Sequence, residues 1–268
     1  MTRHSGHWQR AAQGTDFHGP TYAQYLSTPE GRLRFELAWS NLVAHLPQQE
    51  EPLHVLDAGC GTGDAAVQLA SLGHRVCLLD FSQEMLEQAR LKIVERNLMP
   101  LASFHLAPIE ATDQLFLEAS FDVILCHTVL EYVLRPRAAL AVLVSRLRPG
   151  GLLSLLFRNR HGEVLRLALI DQQLAAAKER VRAREFRERL FGLKGHLLTA
   201  EQMRRWWNRL GMRIIAHYGV RVLSDYLPLE AKSDEAQLQQ LIELEQTLGS
   251  RTPFKQIARY VQMLGVKE

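Results

Sequence analysis

Apolar positions in the first 160 residues fall into short continuous runs that alternate with stretches of helical period. In residues 31–46, Leu33, Leu37, Val43 and Leu46 recur at roughly helical spacing and Pro47 follows, which predicts a helix carrying Arg34 on its polar side. Val55, Leu56 and Ala58 then flank an acid, Asp57, before Gly59, Gly61 and Gly63 alternate. That order predicts a buried strand, a tight turn and a helix start. Residues 65–72 read as the helix, which Gly73 ends, and residues 75–79 as a second buried strand stopping at Asp80. Ser82 can cap the next helix, with Glu84 in its first turn and Met85, Leu86, Ala89 and Ile93 turned inward. Strands at 103–107, 121–126 and 152–157 follow, with a helix at 137–147 ahead of the last. This five-fold alternation implies an α/β fold built on a doubly wound parallel sheet. Its ligand belongs off the carboxyl ends of the strands, where Asp57, Asp80, Pro108 and His127 fall.

Residues 158–198 interrupt the rhythm. Val164, Leu167, Ile170 and Leu174 predict one apolar helical face, and a densely charged run follows from Lys178 with Arg180, Arg182, Arg184, Arg187 and Arg189. Thr199, with Gln202 three residues on, predicts a helix start, and Gly211 its end; Trp206 and Trp207 on it read as packing residues. Two extended runs, 213–222 and 256–266, flank a helix at 234–248 and predict a closing pair of strands. The whole of 1–268 reads as a single domain, with residues 1–46 as an N-terminal helical lid and 158–211 as a basic helical insert.

Charge sharpens this division. The net charge of +3 conceals a segment, 158–213, holding 14 Lys and Arg against 6 Asp and Glu, whereas residues 1–157 hold 12 against 16. Such a confined surplus points to a phosphate-contacting surface, the alternative being a solvated amphipathic helix. The longest apolar runs, near 138–144 and 152–157, are far short of the roughly 18 residues a membrane span needs. No secretory signal is visible, and Cys60, Cys77 and Cys126 lack metal-like spacing, so a cytoplasmic protein with buried thiols is expected. His4, His7 and His18 sit in a polar, glycine-containing stretch without a partner pattern, and no metal is expected there.

The candidate chemistry begins at residues 55–64, VLDAGCGTGD. A dinucleotide fingerprint wants a small residue where this chain has Asp64, and Asp57 beside the loop would repel a diphosphate. Both suit a ligand with an ammonium as well as a carboxylate, and S-adenosylmethionine carries these plus a sulfonium. Asp80, 23 residues after Asp57 at the end of the second strand, is where a ribose diol would be held.

Together VLDAGCGTGD, LLDFS, FDVILCHTVLEYV and LRPGGLLSLLF resemble the class I S-adenosylmethionine-dependent methyltransferases. The resemblance implies a Rossmann-like seven-stranded sheet with a helical insert between the fifth and sixth strands. The words GRLRFELAW, FRNRHG, YGVRVLSDYL and RTPFKQIARYVQ are more discriminating and are similar to the bacterial tRNA 5-carboxymethoxyuridine methyltransferases. That family methylates the carboxylate of 5-carboxymethoxyuridine at the tRNA wobble position. Carried across, its cofactor positions are Arg34, Gly59, Cys60, Asp80, Pro108, Ile109 and His127; Asp57 and Gly61 join them from the loop reading. The family loop has glycine where this chain has Cys60, and Ala and Gln where it has Pro108 and Ile109, so Glu110 is expected to supply the missing adenine contact.

The resemblance implies displacement at the sulfonium methyl by a carboxylate, which is already ionised at pH 7 and needs no general base. Catalysis is then expected from alignment. Arg158, Arg160, His161 and Arg221 are the candidates for holding the substrate acid, and Arg180, Arg182, Arg184, Arg187 and Arg189 for meeting the anticodon stem-loop. The alternative is a methyltransferase for a small-molecule acid or quinone precursor; a membrane partner is not expected.

Overall fold

The computed structural model describes residues 19–187, 194–228, 232 and 234–268. Two helices open it, α1 (Gly19–Ser27) and α2 (Pro29–Val43). The start of α2 is fixed by Thr28, whose side chain accepts a hydrogen bond from Gly31 N, with Pro29 at the first helical position. The doubly wound portion follows as β1 (His54–Ala58), α3 (Asp64–Ser71), β2 (Arg75–Asp80), α4 (Gln83–Glu95), β3 (Ala102–Leu106), β4 (Phe121–His127), α5 (Pro136–Arg146) and β5 (Leu147–Arg158). After it come α6 (Arg160–Leu169), α7 (Leu174–Arg180), β6 (Glu185–Arg187), β7 (Lys194–His196), α8 (Ala200–Arg209), β8 (Met212–Val220), α9 (Glu235–Ser250) and β9 (Tyr260–Lys267).

Seven strands form one sheet in the order β3-β2-β1-β4-β5-β9-β8. The first five are parallel; β9 runs antiparallel between β5 and β8. Strict alternation divides the core. Leu56, Ala58, Ile124 and Leu155 pack on one face with Leu140, Met203 and Trp207, while Val55, Leu78, Val123 and Leu125 pack on the other with Leu69, Ala89 and Ile93. Both faces are covered, which is why these strands read as continuous apolar runs. Trp207 is fully buried and lies so close to β9 that a Cβ on Gly265 would stand 2.4 Å from its ring. Among the described residues no helix is long and apolar enough to cross a membrane.

The segment after β5 departs from expectation. The predicted apolar face from Val164 to Leu174 is broken, since α6 ends at Leu169, leaving Ile170 and Leu174 exposed, and a second helix starts at Leu174. The charged run is not one helix either. Helix α7 stops at Arg180, and Glu185–Arg187 pairs as a strand with Lys194–His196 in a small hairpin. The insert is therefore mixed rather than purely helical. Near the end, Phe254–Ile257 forms a helical turn, so the last strand begins at Tyr260 instead of 256. Arg189 and the three N-terminal histidines lie outside the described residues.

Candidate active site

Four strand ends converge, as the topology requires: Asp57 from β1, Asp80 from β2, His127 from β4 and Arg158 from β5. Between β1 and α3 the loop passes through Gly59, Gly61 and Gly63, all with positive φ (81°, 52° and 76°). Gly59 is held for a second reason: a Cβ there would sit 2.2 Å from a methyl of Val129. The loop is tied to β2, because Gly59 N and Cys60 N both donate to Leu79 O (2.7 and 3.0 Å) and Gly61 N donates to Asp80 Oδ2 (2.9 Å). These three amides are thus spent inside the fold, and contacts from Gly59 and Cys60 to a ligand fall to their carbonyl oxygens. Carbonyls suit a cation.

Asp80 Oδ1 accepts from Ser82 N at 2.9 Å. The Phe81 amide is hydrogen-bonded to the same carboxylate, so three acceptor directions are used within the protein and one stays open for a ribose hydroxyl. Burial pushes the Asp80 carboxyl up to about 6 although the Ser82 and Gly61 amides oppose it. Asp57 rises further, to about 7, through burial and then the neighbouring charges of Asp80 and Asp64. Its Oδ2 is buried with no hydrogen-bond partner. A cation placed between these two acids would satisfy that oxygen and return both groups toward ordinary values. At the start of α3, Asp64 is engaged by Lys92 at 2.8 Å and accepts from Thr62 Oγ1, so an acid already occupies the first turn. A pyrophosphate does not fit there; an ammonium beside Asp57 does.

His127 Nε2 shares a 2.8 Å hydrogen bond with Ser154 Oγ, to which Gln262 Nε2 also donates. Burial, and then Arg34, hold the imidazole down at about 3, so it is neutral at physiological pH. Pro108 precedes a short turn in which the Ile109 side chain enters the core, while Glu110 is exposed.

Arg34 differs from its reading as a polar-face residue. It is 7% exposed, donates to Tyr22 OH (2.8 Å) and Thr128 Oγ1 (3.4 Å), and lies against the rings of Tyr22, Tyr25 and Tyr260. Helix α1 thereby covers the glycine loop, with the Tyr22 ring 3.3 Å from where a Cβ on Gly61 would be. Around Tyr260 four guanidiniums gather, those of Arg34, Arg158, Arg221 and Arg259, 5.7, 5.7, 5.8 and 6.0 Å from its ring centre. Burial would raise the Tyr260 phenol, but Arg158, Arg34, Arg221 and Arg259 bring it down to about 8. Two acids brace this cluster. Glu163 contacts Arg166, Arg259 and Arg158, which against the effect of burial hold its carboxyl at about 2. Asp225 engages Arg221 and Arg259.

The four sequence candidates for the substrate acid are therefore not one group. Arg158 and Arg221 meet at Tyr260; Arg160 lies in a separate cleft, and the exposed His161 faces Gln256 O at 3.3 Å. Arg221 is further tied to Tyr25 OH and Glu30 O. Sequence reasoning missed Tyr22, Tyr25, Tyr260, Glu163, Arg259 and the buried Glu131, whose Oε1 accepts from Arg158 N at 3.2 Å. Arg259 and Tyr260 stood in the word RTPFKQIARYVQ and Glu131 in FDVILCHTVLEYV, but nothing in their spacing marks them as pocket residues.

A family model described as a methyltransferase domain matches residues 56–155, from β1 through most of β5. Among solved structures, a putative S-adenosylmethionine-dependent methyltransferase from Listeria monocytogenes superposes with a TM-score of 0.61 at 16% identity, covering 88% of this chain and 99% of that one. The tRNA 5-carboxymethoxyuridine methyltransferase of Escherichia coli K12 is 33% identical over 243 residues, 90% of each chain. This chain belongs to that family. It is a methyltransferase with the class I, Rossmann-like α/β fold. The ubiquinone biosynthesis O-methyltransferase of Xanthomonas campestris strain B100 is also 33% identical, but over only 46% of this chain. The similarity to the Escherichia coli enzyme, by contrast, extends past β5 into the elements that follow it.

Proposed function

We propose that this protein transfers a methyl group from S-adenosylmethionine to the carboxylate of 5-carboxymethoxyuridine at the wobble position of tRNA, giving the methyl ester. The observation that carries the reading is the set of four guanidiniums around Tyr260, one of which, Arg34, also acts on His127: a buried cationic cluster suited to an anionic acceptor. The fit of the cofactor rests on Asp57 Oδ2, which lacks a partner, and on the acceptor direction that Asp80 keeps beyond its three backbone donors. Bound there, S-adenosylmethionine supplies an electrophilic methyl group. Asp80 would hold a ribose hydroxyl, Asp57 with the Gly59, Cys60 and Gly61 carbonyls the ammonium, and Arg34 the amino-acid carboxylate. His127, the 108–109 backbone and Glu110 would border the adenosine.

Arg158 is the residue assigned to the acceptor acid, with Tyr260 O–H beside it, while Arg221, bound to Asp225, shapes the wall. An acceptor that is already ionised asks no residue to take its proton. What the pocket contributes is orientation and exclusion of water, to which α1 adds a cover. Alignment of this kind is worth about 7 to 11 kcal/mol at best. Phosphate contacts to the anticodon stem-loop are assigned to Arg180, Arg182, Arg184 and Arg187 of the insert, of which Arg182, Arg184 and Arg187 are exposed. Such an enzyme works in the cytoplasm, where the three free thiols are at home.

The test is nucleoside mass spectrometry of tRNA incubated with the purified protein and cofactor. Tritium from labelled cofactor should appear in a base-labile methyl ester of 5-carboxymethoxyuridine. Absence of that product with intact cofactor binding would refute the substrate; transfer to a free acid in RNase-treated extract would replace it.

A further inference from the structure

A cleft of about 870 Å³ opens between the first turn of α5 and helix α8. Arg135, Arg137, Arg160, Arg184 and Arg205 line it, with Trp206 on its apolar floor, and among the described residues no carboxylate lines it. Arg135, Arg137, Arg184 and Arg205 are exposed. Among the described residues none of the five makes an ion pair. Arg158, Arg166, Arg221 and Arg259 differ in having an acid within 4 Å each. Like charges held in one concavity without counter-charge focus a positive potential outward. Nε of Arg160 is buried there with no partner. The first turn of α5, begun by Pro136 and without a side-chain cap, forms one border.

Arginines above an apolar floor with a half-buried indole match a single nucleic-acid strand, whose phosphates take the charge and whose bases take the aromatic face. The cleft is also in register with the reaction site. Arg160 follows Arg158 by two residues and its amide is bonded to Leu198 O at 3.1 Å, so the cleft begins within about 7 Å of backbone from the pocket.

We infer that this cleft, rather than the insert alone, receives the unpaired nucleotides flanking the one that is methylated, with their phosphates on Arg137, Arg184 and Arg205 and a base against Trp206. The inference rests on the tRNA reading above. It draws Arg137 of α5, outside the basic segment, into RNA binding.

The experiment is a salt series of anisotropy measurements with an anticodon stem-loop RNA lacking the carboxymethoxy group, so that the acid pocket contributes nothing. The Arg137→Gln/Arg205→Gln variant should bind about tenfold more weakly at 0.15 M salt and lose about 1.4 from the slope of log K against log salt, 0.7 for each phosphate released. KM for modified tRNA should rise with kcat held, and calorimetric affinity for the cofactor should match the parent. A charge control, Arg75→Gln/Arg96→Gln, should leave slope and affinity in place. The inference falls alone if the parent methylates tRNA and the cleft variant binds RNA as the parent does, or if the control weakens binding equally. If the parent methylates no tRNA, the functional reading fails and this inference with it.

Discussion

The pair Asp57 and Asp80 makes cofactor affinity a function of pH, and the structure fixes both sign and size. Burial first, and for Asp57 also the charges of Asp80 and Asp64, raise these carboxyls to about 7 and about 6. A raised acid keeps its proton to higher pH, and only the ionised form attracts an ammonium, as at Asp57, or serves fully as acceptor to a ribose hydroxyl, as at Asp80, so affinity must climb as pH rises through both values. At pH 6 about one molecule in 11 has Asp57 ionised and about half have Asp80 ionised; at pH 7.5 the fractions are about 0.76 and about 0.97. Affinity should therefore increase about 15-fold over that interval, or about 1.6 kcal/mol. The upper limit stays below the range of the ligand's own amine, about 7.7 to 8. Calorimetry in two buffers of different ionisation enthalpy should show release of about one proton per cofactor near pH 6.5. His127, held at about 3, takes no part. Asp57→Asn should lower affinity and leave only the roughly twofold dependence of Asp80. An affinity independent of pH between 6 and 7.5, or a full slope surviving in Asp57→Asn, would show that Asp57 does not face the bound ammonium.

The same shifts bear on the ligand-free protein, because acids raised in the folded state bind more protons there than when unfolded. His127, held at about 3, works the other way up to about pH 6.5, so the acid contribution is read as a difference: relative to Asp57→Asn, the parent's Tm should fall as pH rises from about 4 to 7, and the cofactor should restore more of it at pH 7.5 than at 6. Glu245 is fully buried and accepts the amides of Val222, Leu223 and Ser224 at 2.5, 2.9 and 2.7 Å; Glu245→Ala should cost about 3 to 5 kcal/mol in urea unfolding by orphaning three donors. Gly59→Ala should abolish cofactor binding by driving a methyl into Val129, and Val129→Ala should recover part of it, leaving the strain of φ 81°. Arg34→Lys keeps the charge but not the planar fork that meets Tyr22 and Thr128, and should weaken cofactor affinity by about tenfold while leaving RNA affinity unchanged.

The strand-helix rhythm of residues 54–158 was legible because each parallel strand is covered on both faces and so reads as an apolar run ending in the residue that matters. Asp57, Asp80 and His127 could be named for that reason. Arg34 was harder. The polar side of α2 is made by Arg32, Glu36 and Ser40, whereas Arg34 lies where α1 covers the helix, and nothing in residues 29–43 announces that Tyr22 and Tyr25 will close over it. The charged run after Lys178 misled by composition, since arginine suits α7 and the β6 strand alike, and the turn between them carries no glycine or proline. The surplus charge itself proved to have two destinations. Arg158 and Arg166 turn inward to Glu163 and Asp171, and Arg184 and Arg205 face the cleft. Period and spacing cannot separate these, because the acids that pair with the inward set are fixed by tertiary contacts, including Glu163 with Arg259 across 96 positions.

Two sets of arginines, one buried and braced by acids and one exposed and unneutralised, meet at a single residue, Asn159. It is 1% exposed and fully engaged. Its Nδ2 donates to Gln256 O and Ala258 O at 2.9 Å, its Oδ1 accepts from His161 N at 3.3 Å, and its amide donates to Arg259 O at 3.1 Å. The side chain thus caps α6 while locking the end of β5 to the approach of β9, so Arg158 and Arg160 cannot move independently. Burying guanidiniums near one another costs stability that Glu163 and Asp225 offset only in part, and a fold selected for stability alone would put apolar side chains around Tyr260. The arrangement makes physical sense if one anion completes the inner set and a chain of anions completes the outer. A modified nucleotide within an RNA strand carries both, a carboxylate on its base and phosphates on either side, and a rigid junction between the two sets converts strand binding into placement of the acid.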